Sequence, residues 1–279
     1  MNQGLFNWVR AFILTLALFV IAGSSLDGSE LADLSEVVRS AGVSPETSAL
    51  LIVRLEDGAQ WVSGGSRIDT PYPPASTAKI PHTLIALEEE YANGPDAHFE
   101  WDGQERFLEV WNQDQTLSSA FKYSVVWVYQ QITHDLGYET MSAWIDQFGY
   151  GNRNIGSTED IATYWLDGPL ETSARDQVEF LSRLVRGVLP LTADTYRCGK
   201  QIMREDSAED WMLYGKTGFS GGIGWYVGWV QRAENGVEQT YIFACNMDIA
   251  SWDDLPLRKA VVRAALSELG VIEEFYADR

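Results

Sequence analysis

Cysteine, histidine and positive charge are all scarce in this chain, and each shortage removes a class of function. Two cysteines among 279 residues, Cys198 and Cys245, allow at most one bridge. In an oxidising compartment they read either as that bridge or as two buried thiols. Three histidines, His82, His98 and His134, lie scattered without the paired spacing of a ligand set, so no metal centre is expected. Only 20 Lys and Arg face 40 Asp and Glu, and the net charge of -20 argues against nucleic acid or an anionic membrane surface as a partner.

Long apolar runs are missing as well. The single candidate, Ala11 to Ala22 with Thr15 inside it, is shorter than the roughly 20 residues a membrane span needs. Arg10 precedes it and Ala22, Gly23, Ser24 and Ser25 follow, so residues 1–24 read as a signal peptide. The mature chain, 25–279, is then an exported, periplasmic protein without stable membrane insertion. No cysteine follows the run, which removes a lipoprotein anchor. Repeats, low-complexity tracts and linkers are absent, and 46% hydrophobic content with 12% aromatics is that of an ordinary globular protein. One compact unit with two lobes is expected.

What is present organises the chain. A helix is expected near Ser29 to Ala41. The apolar run Ala49 to Leu55, the turn Glu56-Asp57-Gly58 and the return Gln60 to Ser63 predict a hairpin. Three more strands, Trp211 to Lys216, Gly224 to Gln231 and Gln239 to Asn246, are joined by connections too short for anything but antiparallel pairing. Between the two groups lie segments of helical period, including Lys79 to Tyr91, Ser118 to Leu136, Glu139 to Phe148 and Ala174 to Val185. A last helix, Pro256 to Leu269, carries Val261, Val262, Ala265 and Leu266 on one face. The pattern predicts an α/β fold of the α+β type, an antiparallel sheet flanked by helices with an all-helical lobe inserted.

Three short elements carry chemistry. Ser76 and Lys79 stand three residues apart at the mouth of a helix, where the amine reaches the hydroxyl and the helix end favours a developing oxyanion. Alone, the pair reads first as a helix cap beside an exposed lysine. Pro81 would crowd the carbonyl of Thr77, so an irregular first turn is expected. Ser124 stands in the apolar helical segment Tyr123 to Tyr129, either aimed into a cleft or bonded back to its own helix. Lys216-Thr217-Gly218 ends a strand before the turn Gly221-Gly222, and offers a cation, a hydroxyl and bare backbone to a carboxylate.

In this order the three elements, with their flanks, resemble the penicillin-recognising serine enzymes and within them the oxacillinase-like, class D serine β-lactamases. The stretches that carry the resemblance are Pro74 to Pro81, Ser124-Val125-Val126, Tyr150-Gly151-Asn152, Trp165 to Leu170, Lys216 to Ser220, Gly224 to Trp229 and Leu255 to Arg258. Val125-Val126 stands where the best-known serine β-lactamases carry Asp-Asn. The resemblance implies hydrolysis of a small-molecule β-lactam through an acyl-enzyme on Ser76, by a monomer or a homodimer. It also implies that Lys79 takes up carbon dioxide, or bicarbonate, to become N6-carboxylysine, the base for both acylation and deacylation, with no other cofactor. Trp165 and Val126 would stabilise that carbamate. The oxyanion hole would be the backbone N–H groups of Ser76 and Phe219, Ser124 and Lys216 would pass a proton to the leaving nitrogen, and Thr217, Gly218 and Arg258 would hold the substrate. A sensor domain acylated without turnover is the alternative. Three departures stand out: Ala78, where many relatives carry a large aromatic, predicts looser and wetter packing around Lys79; the stretch Asn152 to Trp165 is long and carries Glu159-Asp160; and the turn Ser220 to Ile223 is short.

Overall fold

The computed structural model describes residues 31–234 and 236–273, so the segment read as a signal peptide lies outside the described residues. Seven strands form one sheet: β1 (Ala32–Asp33), β2 (Ser48–Arg54), β3 (Gln60–Ser63), β6 (Arg204–Ser207), β7 (Trp211–Ser220), β8 (Ile223–Glu234) and β9 (Val237–Asp248). Their order is β1-β3-β2-β9-β8-β7-β6. All neighbours run antiparallel except β1 with β3, a parallel pair of two residues. Two short strands, β4 (His98–Phe99) and β5 (Gln115–Thr116), make a separate ribbon in the helical lobe.

The hairpin that closes β7 on β8 is set by its turn. Ser220 pairs with Ile223, so Gly221 and Gly222 are the whole loop, with φ of +55° and +80°. A two-residue loop whose backbone twist matches that of the strands requires left-handed backbone at both positions, which glycine adopts without strain.

Five helical elements of the inserted lobe follow β3: α2 (Lys79–Glu88), α3 (Leu117–Lys122), α4 (Val126–Phe148), which is two helical arms broken at Gly137 (φ +79°), α5 (Ala174–Val185) and α6 (Ala193–Met203). On the other side of the sheet lie α1 (Ser35–Ser40) and α7 (Leu257–Glu268). The sheet therefore divides the interior into two apolar cores. The larger joins its inner face to the lobe, with Leu84, Phe121, Tyr129, Trp165 and Trp225 among its buried members. The smaller lies under α1 and α7 and takes Val38, Val261, Val262, Ala265 and Leu266. Cys198 belongs to the first core and Cys245 to the second, and both are free buried thiols. Burial pushes the Cys245 thiol up to about 12, so it stays protonated.

Two expectations are corrected here. The helix read as continuous from Ser118 to Leu136 is broken at Ser124. Ser124 takes φ +57°, its N–H bonds Phe121 O at 3.2 Å and the Val125 N–H bonds Ala120 O at 2.9 Å. That is the paired closure of a helix C-terminus with the left-handed residue at its corner. The sequence hides it because the corner residue is serine rather than glycine and the apolar run continues past it. The strand that starts at Trp211 also runs on beyond Lys216 to Ser220, so Lys216 to Gly218 lies within the strand rather than at its end.

Candidate active site

The site lies where α2, the α3–α4 corner and β7 meet. The irregular turn expected from Pro81 is a 3-10 turn over Ala75–Ala78, which hands on directly to α2. Ala75 enters it at φ +50°, a backbone region that costs an L-residue about 1–2 kcal/mol. Several bonds hold the turn against that strain. Thr77 Oγ1 donates to Pro74 O at 2.7 Å, Gln177 Nε2 from α5 donates to Thr77 Oγ1 at 2.9 Å and to the Tyr150 hydroxyl at 3.0 Å, and Trp225 Nε1 from β8 donates to Pro73 O at 3.0 Å.

From this turn Ser76 and Lys79 face each other. Lys79 Nζ donates to Ser76 Oγ at 2.8 Å. The lysine is wholly buried, with Nζ 4.2 Å from the centre of the Trp165 ring and 5.1 Å from that of Tyr129. Burial in this apolar wall, and secondarily the charge of Lys216, holds its pKa well below the usual lysine value. An amine so placed is available in its neutral, nucleophilic form. At Ala78 the site is closed to bulk solvent: Ala78, Lys79 and Trp165 are all fully buried. The acidic pair before Trp165 does not intrude either. Asp160 folds back to accept from the backbone and hydroxyl of Ser157 at 2.7 and 2.8 Å, and its carbonyl receives the Tyr164 N–H.

Trp165 leaves one group unsatisfied. Its indole Nε1 is buried with no hydrogen-bond partner, a condition native structures seldom tolerate without a reason. Val126, the first residue of α4, packs half-buried at the edge of the same core, and Val125 beside it is fully buried.

On the opposite wall Lys216 Nζ donates to Ser124 Oγ and, at 2.9 Å, to Thr217 O. Burial, reinforced by the charge of Arg258, brings the Lys216 pKa down to about 7. Gly218 shows why no side chain is present: a Cβ there would stand 2.9 Å from Pro74 O and 3.3 Å from Ser76 N. β7 thus lies against the nucleophile turn itself. Arg258 is half-buried. Its Nη1 donates to Gly218 O at 2.5 Å and its Nε to Leu255 O at 2.7 Å, and burial draws its pKa to about 10. Phe219 follows, its ring edge-on to Trp252 at 5.5 Å.

Comparison with known proteins agrees with this geometry. The family described as penicillin binding protein transpeptidase domain matches residues 54–267. Beta-lactamase OXA-48 of Klebsiella pneumoniae is 38% identical over 210 residues, covering 74% of this chain and 77% of that protein. Beta-lactamase OXA-10 of Pseudomonas aeruginosa is 36% identical over 214 residues, covering 74% and 78%. The solved class D β-lactamase YbXI from Nostoc superposes with a TM-score of 0.82 at 35% identity, covering 86% of this chain and all of that one. The chain belongs to the class D serine β-lactamases.

A class D site read from its motifs leaves out the residues that hold those motifs. Tyr129 and Gln177 lie outside the motif stretches and touch a motif residue or its turn, and Trp225, inside one of those stretches, bonds the same turn. His82 and Tyr164 are also missed. The signals were available, since His82 lies one helical turn after Lys79 and Tyr164 directly precedes Trp165.

Proposed function

We propose that this chain hydrolyses β-lactams through an acyl-enzyme on Ser76, with Lys79 in carboxylated form as the base for forming and for releasing it. The observation that carries the reading is the conjunction of a fully buried, deprotonation-prone Lys79 with an indole N–H beside it that has no partner. Both features fit one anionic group on Nζ, because it would satisfy the orphan donor and neutral Nζ is the form that adds to carbon dioxide. In that addition Nζ bonds to the carbon, a C=O π bond opens, and the released proton leaves to solvent. A carbamate on Lys79 would supply an oxygen base at a place where the chain itself offers only nitrogen.

The remaining steps belong to the chain's own residues. Ser76 Oγ gives up its proton towards Lys79 and attacks the ring carbonyl; the C–N bond of the ring breaks as the acyl bond forms. Ser124, hydrogen-bonded to Lys216, relays a proton to the departing nitrogen, and the nearby cation eases its transfer. The backbone N–H groups of Ser76 and Phe219 serve as oxyanion donors; removing one such donor typically costs about 100- to 1,000-fold in rate. Thr217 and Gly218 with Arg258 receive the substrate carboxylate. Water completes the second half, losing a proton to the same base that served the first. The apolar run before Gly23 supports export, so the periplasm is the proposed place of action.

Steady-state hydrolysis of a chromogenic β-lactam tests this, measured in degassed buffer and again with bicarbonate. Many turnovers per enzyme, faster with bicarbonate, are expected. A burst of one equivalent followed by silence would instead make the protein a sensor that is acylated and stays so.

A further inference from the structure

Behind the Lys79 pocket lies a buried pair that the mechanism above does not use. The Tyr164 hydroxyl and His82 Nε2 share a hydrogen bond of 2.6 Å, with both residues fully buried. The imidazole stands edge-on to the Trp165 ring, at 5.5 Å between centres and 82° between planes, and edge-on to Tyr164 at 5.6 Å. It also neighbours the Tyr129 ring at 6.4 Å. His82 therefore neighbours both of the rings that flank Lys79 Nζ, Trp165 and Tyr129. His82 Nδ1 is buried with no partner, so two orphan nitrogens, this one and Trp165 Nε1, lie on adjoining rings.

His82 follows Lys79 by three residues, so the two share one side of α2. The pocket is closed to solvent, and the fully buried imidazole stands between the Tyr164 ring and the Trp165 indole, edge-on to both. The pair is also uncharged. Burial is the main cause that lowers the His82 pKa, to about 3 while Lys79 is a cation, and burial holds the Tyr164 hydroxyl far above its usual value.

We infer that His82 and Tyr164 are positioning residues for the Lys79 base: a buried hydrogen-bonded pair that fixes the Trp165 indole against Nζ. The inference rests on the reading of Lys79 as carboxylated. In it the pair acts on the carbamate only through Trp165, and its loss weakens the hold on carbon dioxide without removing any group that touches substrate.

The test uses the full mature chain and the variants Tyr164→Phe and His82→Phe, each of which keeps a ring and removes the shared hydrogen bond. Two quantities are followed: the carbamate resonance seen by 13C NMR with labelled bicarbonate, and the bicarbonate concentration giving half-maximal hydrolysis of a chromogenic β-lactam. Each variant is expected to need roughly 3- to 10-fold more bicarbonate, the worth of one neutral hydrogen bond. Added bicarbonate should restore both readouts, and the double variant should be no worse than the poorer single one, since both changes break the same bond. A wild-type carbamate resonance with unshifted titrations in both variants overturns the inference and leaves the Lys79 reading intact. No carbamate resonance in the wild type overturns both. Loss of near-UV dichroism in both variants also overturns it, by making the pair part of the fold rather than of the site.

Discussion

Trp165→Phe separates what the indole N–H does for the fold from what it does for the base. With Lys79 as a free amine, the buried N–H has no partner, and such a group costs about 1–3 kcal/mol. Phenylalanine removes that cost but gives up part of the packing of a wholly buried ring, a loss of similar size and opposite sign. Without bicarbonate the variant should therefore unfold within a few degrees of the wild type. With a carbamate present the balance changes, because the N–H now donates to an anion. That bond is worth about 1.5–3 kcal/mol, which is about 10- to 150-fold in the carbamate equilibrium.

Thermal unfolding reads the difference directly. A ligand that binds only the folded state at 100 times its half-saturating concentration stabilises it by about 2.7 kcal/mol. At the same bicarbonate concentration the variant's gain should shrink to about 1.4 kcal/mol or less. The assay is a melting curve of both proteins across a bicarbonate series, paired with initial rates of β-lactam hydrolysis on the same samples. Equal stabilisation of the two proteins, or equal half-saturation in the rate titration, would refute the assignment of the indole as the carbamate's donor.

Ser124→Ala and Ser124→Gly should both slow turnover by about 100-fold or more through loss of the relayed proton. They should differ in stability: alanine must hold φ +57° as serine does, so the glycine variant should be about 1 kcal/mol the more stable in denaturant unfolding, and the reverse order would contradict the left-handed corner. Gly218→Ala inserts a methyl 2.9 Å from Pro74 O and 3.3 Å from Ser76 N, so kcat/KM should fall by about 100-fold as the nucleophile turn is displaced; a wild-type value would mean that β7 is free to withdraw. Lys216 acts as a cation and its pKa is drawn to about 7, so kcat/KM should decline as pH rises through that value. Arg258→Gln removes a positive charge that helps hold it there, so the alkaline limb should move to higher pH in that variant, and a shift to lower pH would reverse the argument.

Elements set by local pattern were legible in the sequence. The return strand Gln60–Ser63 and the helix Ala174–Val185 have the bounds that their periodicity predicts, and Gly221-Gly222 marked its hairpin. α6 was not read, although its start carried a cap signal in Thr192, whose side chain accepts from the Thr195 N–H. The partition of the two thiols between different cores could not be read, because it depends on which face of the sheet each element covers. Of the site, the motif residues were legible and their supports were not. Gln177 meets Thr77 across 100 positions, and Tyr164 meets His82 across 82. No local pattern encodes such a meeting, which exists only after the lobe has closed on the sheet.

The residues that break local rules share a physical cause with the chemistry. Ala75 and Ser124 both hold left-handed backbone that glycine would hold more cheaply, and Lys79 and Lys216 are both buried where an apolar side chain would sit more comfortably. Each violates a local rule that sequence reading relies on, and each carries or adjoins a reacting group. The violations persist because neighbours from distant elements over-determine them: Gln177 and Trp225 hold the turn at Ala75, and two rings wall in Lys79. A serine at the corner between α3 and α4, rather than glycine, brings an oxygen to Lys216 at the cost of strain. The same strain that breaks the expected helix is what aims Ser124 across the cleft, so the place where the local pattern fails is the place where the site is made.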